Sequence, residues 1–223
     1  MTQTSTPETS TQASAASASP VSRATIIREP AVVKRFARKS RRSKITSNGT
    51  VAAAVMVAAA LLAVCAWISV PVLEIAYTLQ TFGVFFALLV LGGARGTLAI
   101  FVYILLGAVG LPVFTGFRGG IGTLLGVTGG YILGFLFTGL VYWLVTGLLG
   151  RKLWVKILAL VLGLVVCYAF GSGWFLTVYF RNGKSIGVWA LLMKCVIPYL
   201  PADIVKMALA LVLAPRVAKA VKA

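Results

Sequence analysis

The amino-acid sequence predicts an all-α integral membrane protein of six transmembrane helices with both termini in the cytoplasm. Of its 223 residues, 60% are hydrophobic and only 11% are charged, so the bilayer is the expected solvent for most of the chain. The 21 Lys and Arg residues greatly outnumber the 4 Asp and Glu residues, and the formal net charge is +17. Long uncharged runs separate these charges and make the spans countable.

The N-terminal 49 residues differ from the rest of the chain in composition. Residues 1–22 contain eleven Ser or Thr residues and no basic residue, and nine of the 21 basic residues follow between Arg23 and Lys44. We expect residues 1–49 to form a disordered Ser/Thr-rich and then basic cytoplasmic tail, and residues 50–223 to form the transmembrane domain. The basic cluster is typical of an orientation signal that also attracts anionic lipid headgroups, and nucleic-acid binding is disfavoured.

Five uncharged runs predict the first five helices, because a span needs about 20 apolar residues. The first run lies too far from the N-terminus for a cleaved signal peptide, so it is interpreted as a span. The second helix is short and needs neighbouring residues to complete its crossing. The predicted helices cover residues 50–70, 80–93, 96–111, 128–149 and 154–176.

The last apolar region, residues 186–215, is interrupted by two prolines and three charged residues, namely Lys194, Pro198, Pro201, Asp203 and Lys206. We expect a short embedded segment over residues 186–199, a break at the prolines and a sixth helix over residues 202–215. With six spans, sixteen basic residues lie on the inner side and four on the outer side. This bias places both termini of a multi-pass membrane protein in the cytoplasm. We expect the membrane to be a bacterial cell membrane.

Missing residue types exclude several classes of function. The chain contains no His, which excludes a His-based catalytic triad and an imidazole metal site. The three Cys residues are widely spaced in apolar surroundings, which favours buried thiols over metal ligands. Ser172 and Ser185 have no base at an identifiable spacing, so an intramembrane enzyme is disfavoured. No phosphate-binding P-loop motif occurs, so energy for active transport must come from another subunit or an ion gradient.

An ionisable pair in the sixth predicted helix is the sharpest candidate for ligand binding. Asp203 and Lys206 are three residues apart, so they project from one face of the helix. Such a pair in a span is costly and usually faces an internal cavity or a partner. A mutually neutralising pair that only fixes helix packing is the alternative. The break at Pro198 and Pro201 favours binding, because it puts the pair near a membrane face where a ligand can enter.

Two predicted outer loops carry further candidates. Thr78 and Gln80 are neutral donors and acceptors suited to an uncharged polar ligand, whereas Glu74 nearby is interpreted as a solvated carboxylate. Residues 107–134 contain ten Gly residues, so Leu111–Val127 is expected to be an irregular loop whose backbone can approach a ligand closely. A flexible hairpin is the alternative. Tyr131, just after this loop, is a candidate stacking wall or an interfacial aromatic residue.

Small residues recur at helical spacing in the first span. Ala54, Ala58, Ala59 and Ala63 form two Ala-x-x-x-Ala pairs, which let another helix approach closely. Because the stretch is so rich in Ala, this spacing is a weak signal by itself.

Four sequence segments occur in a recognisable order, namely TLQTFGV at 78–84, GARG at 93–96, the Gly-rich stretch at 107–135 and PADIVK at 201–206. Together they resemble the BioY family, the biotin-specific substrate-binding subunits of energy-coupling factor (ECF) transporters. Two positions depart from the family pattern, since Val127 stands where Pro is usual and Ala202 stands where Gly is usual. The tail 1–49 lies outside the resemblance.

The resemblance implies an ECF S-component-like bundle that binds biotin and needs no cofactor. It implies that Asp203 and Lys206 are the polar anchors for biotin, with Tyr131 beside the bicyclic ring. By the same resemblance, the Gly-rich loop brings backbone groups to the ligand at Gly119, Gly120, Gly129 and Gly130. The alanine face of the first helix then docks on a transmembrane coupling protein that carries two ABC-type ATPases. A subunit for another vitamin, such as thiamine or riboflavin, and a solo biotin carrier are the alternatives.

Overall fold

A computed structural model describes residues 31–70, 77–183 and 187–220. For residues 31–47 and 219–220 it describes the backbone alone. The predictions for residues 1–30 and for Glu74 therefore lie outside the described residues. The chain divides into two units, residues 1–43 and 44–223, and the second unit contains every side chain discussed below.

The described residues form eight α-helices and one small β-hairpin. The helices are α1 (Ala31–Trp67), α2 (Gln80–Leu91), α3 (Gly93–Val109), α4 (Ile121–Leu125), α5 (Gly129–Leu149), α6 (Leu153–Arg181), α7 (Val188–Cys195) and α8 (Leu200–Ala220). The strands β1 (Ser69–Val70) and β2 (Tyr77–Thr78) pair antiparallel. The sequence did not predict this hairpin, which two residues per strand are too short to signal by alternation.

The membrane-spanning capacity of these helices supports part of the six-span prediction. By length and composition, three described helical segments can cross a membrane, namely Asn48–Trp67, α5 and α6, and the pair α7 and α8 can form a fourth span bent by 44°. The apolar helices α2 and α3 are shorter. At 1.5 Å per residue, the 12 residues of α2 cover about 18 Å of a hydrocarbon core about 30 Å thick. A membrane protein of mostly helical fold is therefore established, and the count of six spans and the location of the termini stay predictions.

The first helix begins earlier than expected. Its apolar part, Asn48–Trp67, agrees with the predicted span over residues 50–70, but the helix starts at Ala31 inside the segment predicted as a disordered tail. Lys and Arg are good helix formers, so the basic composition of this segment does not oppose a helix.

Close contacts between helices rely on small side chains. A Cβ atom added to Gly163 of α6 would lie 2.8 Å from Cγ2 of Thr138 on α5, so α5 and α6 approach more closely than any larger residue allows. The single proton of the Thr138 hydroxyl is shared between the carbonyl oxygens of Gly134 at 3.1 Å and Gly163 at 3.0 Å. We call these three residues the α5–α6 seam. The seam holds together the two long helices that form one wall of the cavity described next.

Candidate functional site

A cavity of about 390 Å³ lies at one end of the helical bundle. Its volume falls in the range of about 300–1,000 Å³ that is typical of small-molecule sites. It is lined by the start of α2, α5 and α8, by the middle of α6 and by the loop before α4. The aromatic residues of the lining are Phe114, Tyr131, Phe135, Tyr168 and Tyr199. The charged residues of the lining are Arg118, Asp203 and Lys206.

Asp203 and Lys206 form an ion pair inside this cavity. The Lys206 ammonium donates to Asp203 Oδ1 at 2.8 Å, and their side chains are only 14% and 5% exposed, respectively. The Tyr168 hydroxyl, from α6, donates to the second carboxylate oxygen, Oδ2, at 2.5 Å. Each Asp203 oxygen thus has one donor and keeps a further lone-pair direction, and the ammonium keeps two N–H donors. The predicted pair therefore faces a cavity and retains hydrogen-bonding capacity that a purely structural pair does not need.

Gln80 presents an acceptor to the same cavity. Its side-chain nitrogen donates to the Tyr103 hydroxyl at 2.7 Å, and that hydroxyl donates to the Val113 carbonyl at 3.1 Å. Because the single Tyr103 proton goes to the Val113 carbonyl, the Tyr103 oxygen must accept from Gln80. The nitrogen of the Gln80 amide therefore points to Tyr103, and its oxygen is left for the cavity. Gln80 is 4% exposed, and among the described residues no donor reaches its side-chain oxygen. Thr78, also predicted, lines the cavity beside it.

Tyr131 lies in the first turn of α5 and contributes to the aromatic wall of the cavity. Its hydroxyl lies 3.3 Å from the Ser172 hydroxyl of α6. Its ring meets the Tyr168 ring edge to face, with centroids 6.3 Å apart. The structure thus places the residue where a stacking wall was predicted, and its contact with a ligand stays a prediction.

The four predicted glycines support the cavity from outside its lining. Gly119, Gly120, Gly129 and Gly130 are not among the residues that line the cavity. A Cβ atom on Gly130 would collide with Trp174 and one on Gly129 with Leu124, while Gly120 has a φ of +87°. Close packing and turn geometry therefore account for these positions. Their contact with a ligand stays a prediction, and the loop glycine that does line the cavity is Gly116.

The predicted docking alanines of α1 are mostly covered by the chain itself. Ala58, Ala59 and Ala63 are buried, with Ala59 and Ala63 in the main core cluster, and Ala54 is half-buried. A Cβ atom on Gly83 of α2 would approach α1 to within about 3 Å, its nearest neighbour being a Leu62 carbon at 3.1 Å. The small-residue spacing thus serves packing within the chain. Docking of these alanines on a partner protein stays a prediction, and they expose little surface for such a contact.

Arg118 and Tyr168 are site residues that the sequence reasoning did not single out. Arg118 is exposed and lies between Gly116 and α4, and no described carboxylate lies within ion-pairing distance of its guanidinium. A signal did exist, because Arg118 is the sole charge between two long uncharged runs. Tyr168 had no comparable signal, since its partner Asp203 is 35 residues away in sequence.

Two aromatic side chains near the β-hairpin bind to other parts of the chain, one to the loop after α3 and one to the break between α7 and α8. Trp67 Nε1 donates to the Pro112 carbonyl at 2.8 Å. The Tyr77 hydroxyl donates to the Pro198 carbonyl at 2.8 Å, and its ring stacks on Tyr199 with centroids 4.3 Å apart. Ser69 and Thr78 of the hairpin line the cavity, so these contacts hold one part of the cavity wall in place.

Comparison with known proteins gives consistent matches. The BioY family model matches residues 38–223. The biotin transporter BioY of Thermotoga maritima is 40% identical over 167 residues, which cover 72% of this chain and 90% of that protein. The probable biotin transporter BioY of Pyrococcus horikoshii is 40% identical over 157 residues, covering 70% and 89%. A crystal structure of the S-component for biotin from an ECF-type ABC transporter superposes with a TM-score of 0.68 at 24% identity, covering 78% of this chain and 93% of that chain. The last match shows a shared fold.

Proposed function

Because the chain belongs to the BioY family, a family of transporters and not of enzymes, we propose that it is the membrane-embedded biotin-binding subunit of a vitamin uptake transporter. It captures extracellular biotin in the cavity, which faces outward. It then delivers biotin inward together with an ATP-driven ECF module, which consists of a transmembrane coupling protein and two ABC-type ATPases.

The observation that carries this proposal is the cluster of Tyr168, Asp203 and Lys206 within a cavity of small-ligand size. Biotin contains a cyclic urea with two N–H donors and one carbonyl acceptor. The Asp203 carboxylate and the Gln80 side-chain oxygen accept the N–H groups, and the Lys206 ammonium donates one of its remaining protons to the urea oxygen. Hydrogen bonds to charged groups are about twice as strong as neutral ones, so this cluster selects the urea.

The valerate carboxylate of biotin pairs with Arg118. Asp203 and Lys206 cancel in charge, so the charged lining residues sum to +1, which matches a monoanionic ligand. A guanidinium binds a carboxylate through two parallel hydrogen bonds, which adds geometric specificity. Urea and carboxylate are thus recognised by separate charged groups of the cavity wall.

The apolar ring system of biotin packs against the apolar part of the cavity. Ile132, Phe135 and Leu164 line this part, and Tyr131 and Tyr199 add aromatic surface. Burial of apolar surface contributes about 25 cal/mol per Å². This contribution gives affinity, and the polar groups give orientation.

Equilibrium binding of biotin to the detergent-purified chain tests the proposal. Lys206→Met removes the donor to the urea and, in the complex, leaves the Asp203 carboxylate without its ion-pair partner, so we expect affinity to fall at least about 100-fold. Lys194→Met is the matched control, because Lys194 is an exposed lysine of α7 outside the cavity lining, and its affinity should stay within about twofold. Equal affinity of both variants and the wild type would show that the cavity is not the biotin site.

Two further measurements separate the alternatives. A competition panel against labelled biotin identifies a subunit for another vitamin, if thiamine or riboflavin displaces the label better than biotin does. Uptake into cells with and without the coupling module tests ATP-driven delivery. Uptake that persists without any partner ATPase would support a solo carrier instead.

A further inference from the structure

Tyr168 and Lys206 hold the Asp203 carboxylate from two different helices. The Tyr168 hydroxyl on α6 occupies Oδ2, and the Lys206 ammonium on α8 occupies Oδ1. Because the donors bind different oxygens, together they define the direction in which the carboxylate faces. A tyrosine hydroxyl has one proton, so this proton is committed to Asp203.

Lys206 alone does not fix Asp203 relative to the rest of the cavity. It lies on the same helix one turn later, so it moves with Asp203 whenever the start of α8 moves. Asp203 lies in the first turn of α8, directly after the break at which α7 and α8 are bent by 44°. By contrast, α6 is a continuous helix of 29 residues, and its Leu164 and Cys167 also line the cavity. The Tyr168 hydrogen bond therefore ties the start of α8 to a long, continuous helix.

We propose that Tyr168 is a positioning residue that orients the Asp203 carboxylate to accept N–H groups of the ligand. This inference rests on the proposed function, because it takes the urea of biotin as the group that Asp203 recognises. Each carboxylate oxygen has two lone pairs, so Asp203 accepts a ligand N–H while it keeps both present donors. Loss of the Tyr168 hydroxyl frees the carboxylate to rotate and weakens binding without removing any charge from the cavity.

Tyr131 provides a matched comparison on the same wall. It lines the same cavity and contacts the Tyr168 ring, but its hydroxyl lies next to Ser172 and not next to Asp203. Phenylalanine at either position removes one hydroxyl and keeps the ring. Only the effect of Tyr168→Phe on biotin affinity should therefore depend on the presence of Asp203.

A double-mutant cycle with Asp203→Asn tests the inference on the purified full chain. Tyr168→Phe should weaken biotin binding about tenfold in the wild-type background, since it loses one hydrogen bond to a charged group. In the Asp203→Asn background the same change should weaken binding less than about twofold, because the oriented charge is already absent. Tyr131→Phe should have the same effect in both backgrounds. Titrations extend to millimolar biotin so that weak variants remain measurable, and thermal melting confirms that each variant is folded.

The possible outcomes separate this inference from the proposed function. Unchanged affinity of Tyr168→Phe, or an equal loss with and without the Asp203 charge, would overturn the positioning role while biotin binding by the wild type stands. Absence of biotin binding by the wild type would overturn the proposed function and the positioning role with it.

Discussion

The cavity and the α5–α6 seam are built partly from the same two helices, but they use polar groups in opposite ways. In the seam, the single proton of the Thr138 hydroxyl is shared by two backbone carbonyl oxygens, and Gly163 leaves no room for a side chain. In the cavity, Gln80, Asp203 and Lys206 each keep a donor or an acceptor beyond the hydrogen bonds they already make. The seam thus satisfies its polar groups internally, and the cavity leaves capacity for a ligand.

This difference predicts that fold stability and ligand affinity depend on different residues. A buried polar group without a partner costs free energy, so unused capacity is maintained only where a ligand can use it. Substitutions in the cavity should therefore change affinity more than stability, and substitutions in the seam should do the reverse.

Asp203→Ala should give the largest loss of biotin affinity. The substitution removes the charged acceptor of the urea and leaves the Lys206 ammonium without its partner in the closed complex, a loss of binding of about 3 kcal/mol, or about 100-fold. Equilibrium binding to the purified protein measures it. If Asp203→Ala binds biotin like the wild type, Asp203 belongs with the internally satisfied groups, as Thr138 does.

Gly163→Ala should destabilise the fold by about 1–3 kcal/mol, because the new methyl group would overlap Thr138. Gly173→Ala on the same helix is the matched control, since a Cβ atom there meets no other atom within 4 Å. Thermal unfolding in detergent should show a lower midpoint for Gly163→Ala alone. An equal change of midpoint in both variants would contradict close packing as the cause, because helix propensity favours Ala over Gly at both positions.

Arg118→Gln should weaken biotin binding about tenfold through the loss of a charge-assisted pair with the carboxylate. Biotinamide, which lacks this charge, should bind the variant and the wild type about equally. Arg181→Gln serves as the control, because Arg181 is exposed and lies outside the cavity lining. A loss that is the same for biotin and biotinamide would contradict the pairing with Arg118.

Thr138→Val should have the smallest effect. It keeps the shape of the side chain but removes the hydroxyl donor from the seam, which costs about 1 kcal/mol of stability. Biotin affinity should remain within about twofold of the wild type, because the seam lies outside the cavity lining. Melting and binding measured on the same preparation check both halves. A large loss of affinity without a change in melting would contradict the separation of the two regions.

Much of the helical order was predictable, because apolar runs and charges mark where each helix can lie. The predicted helices over residues 128–149 and 154–176 correspond to α5 and α6, and the proline break corresponds to the bend between α7 and α8. The pairing of Asp203 with Lys206 was predictable too, because both residues lie on one helix at a spacing of three. Local spacing determines such features, and it is visible in the sequence.

Partners distant in the chain were not predictable in this way. Tyr168 meets Asp203 across 35 positions and Gln80 meets Tyr103 across 23 positions, and neither pair has a spacing rule. The same limit explains the alanines of α1, since their spacing predicts that a helix packs there but not which one. In the structure Ala58 packs in one cluster with Ala87 of α2 and Ala99 of α3, and Gly83 of α2 lies close to Leu62 of α1.

The amino-acid sequence is enough to predict that this protein lies in a membrane, where most of its helices fall and that Asp203 and Lys206 share one helix face. Hydropathy, charge and helical period act over a few residues, and they are sufficient for these conclusions. The folded structure was needed to show that Tyr168, Gln80 and Arg118 line one cavity with that pair, while the four predicted glycines lie outside its lining. Whether a polar group is satisfied internally or remains available to a ligand depends on its neighbours in space.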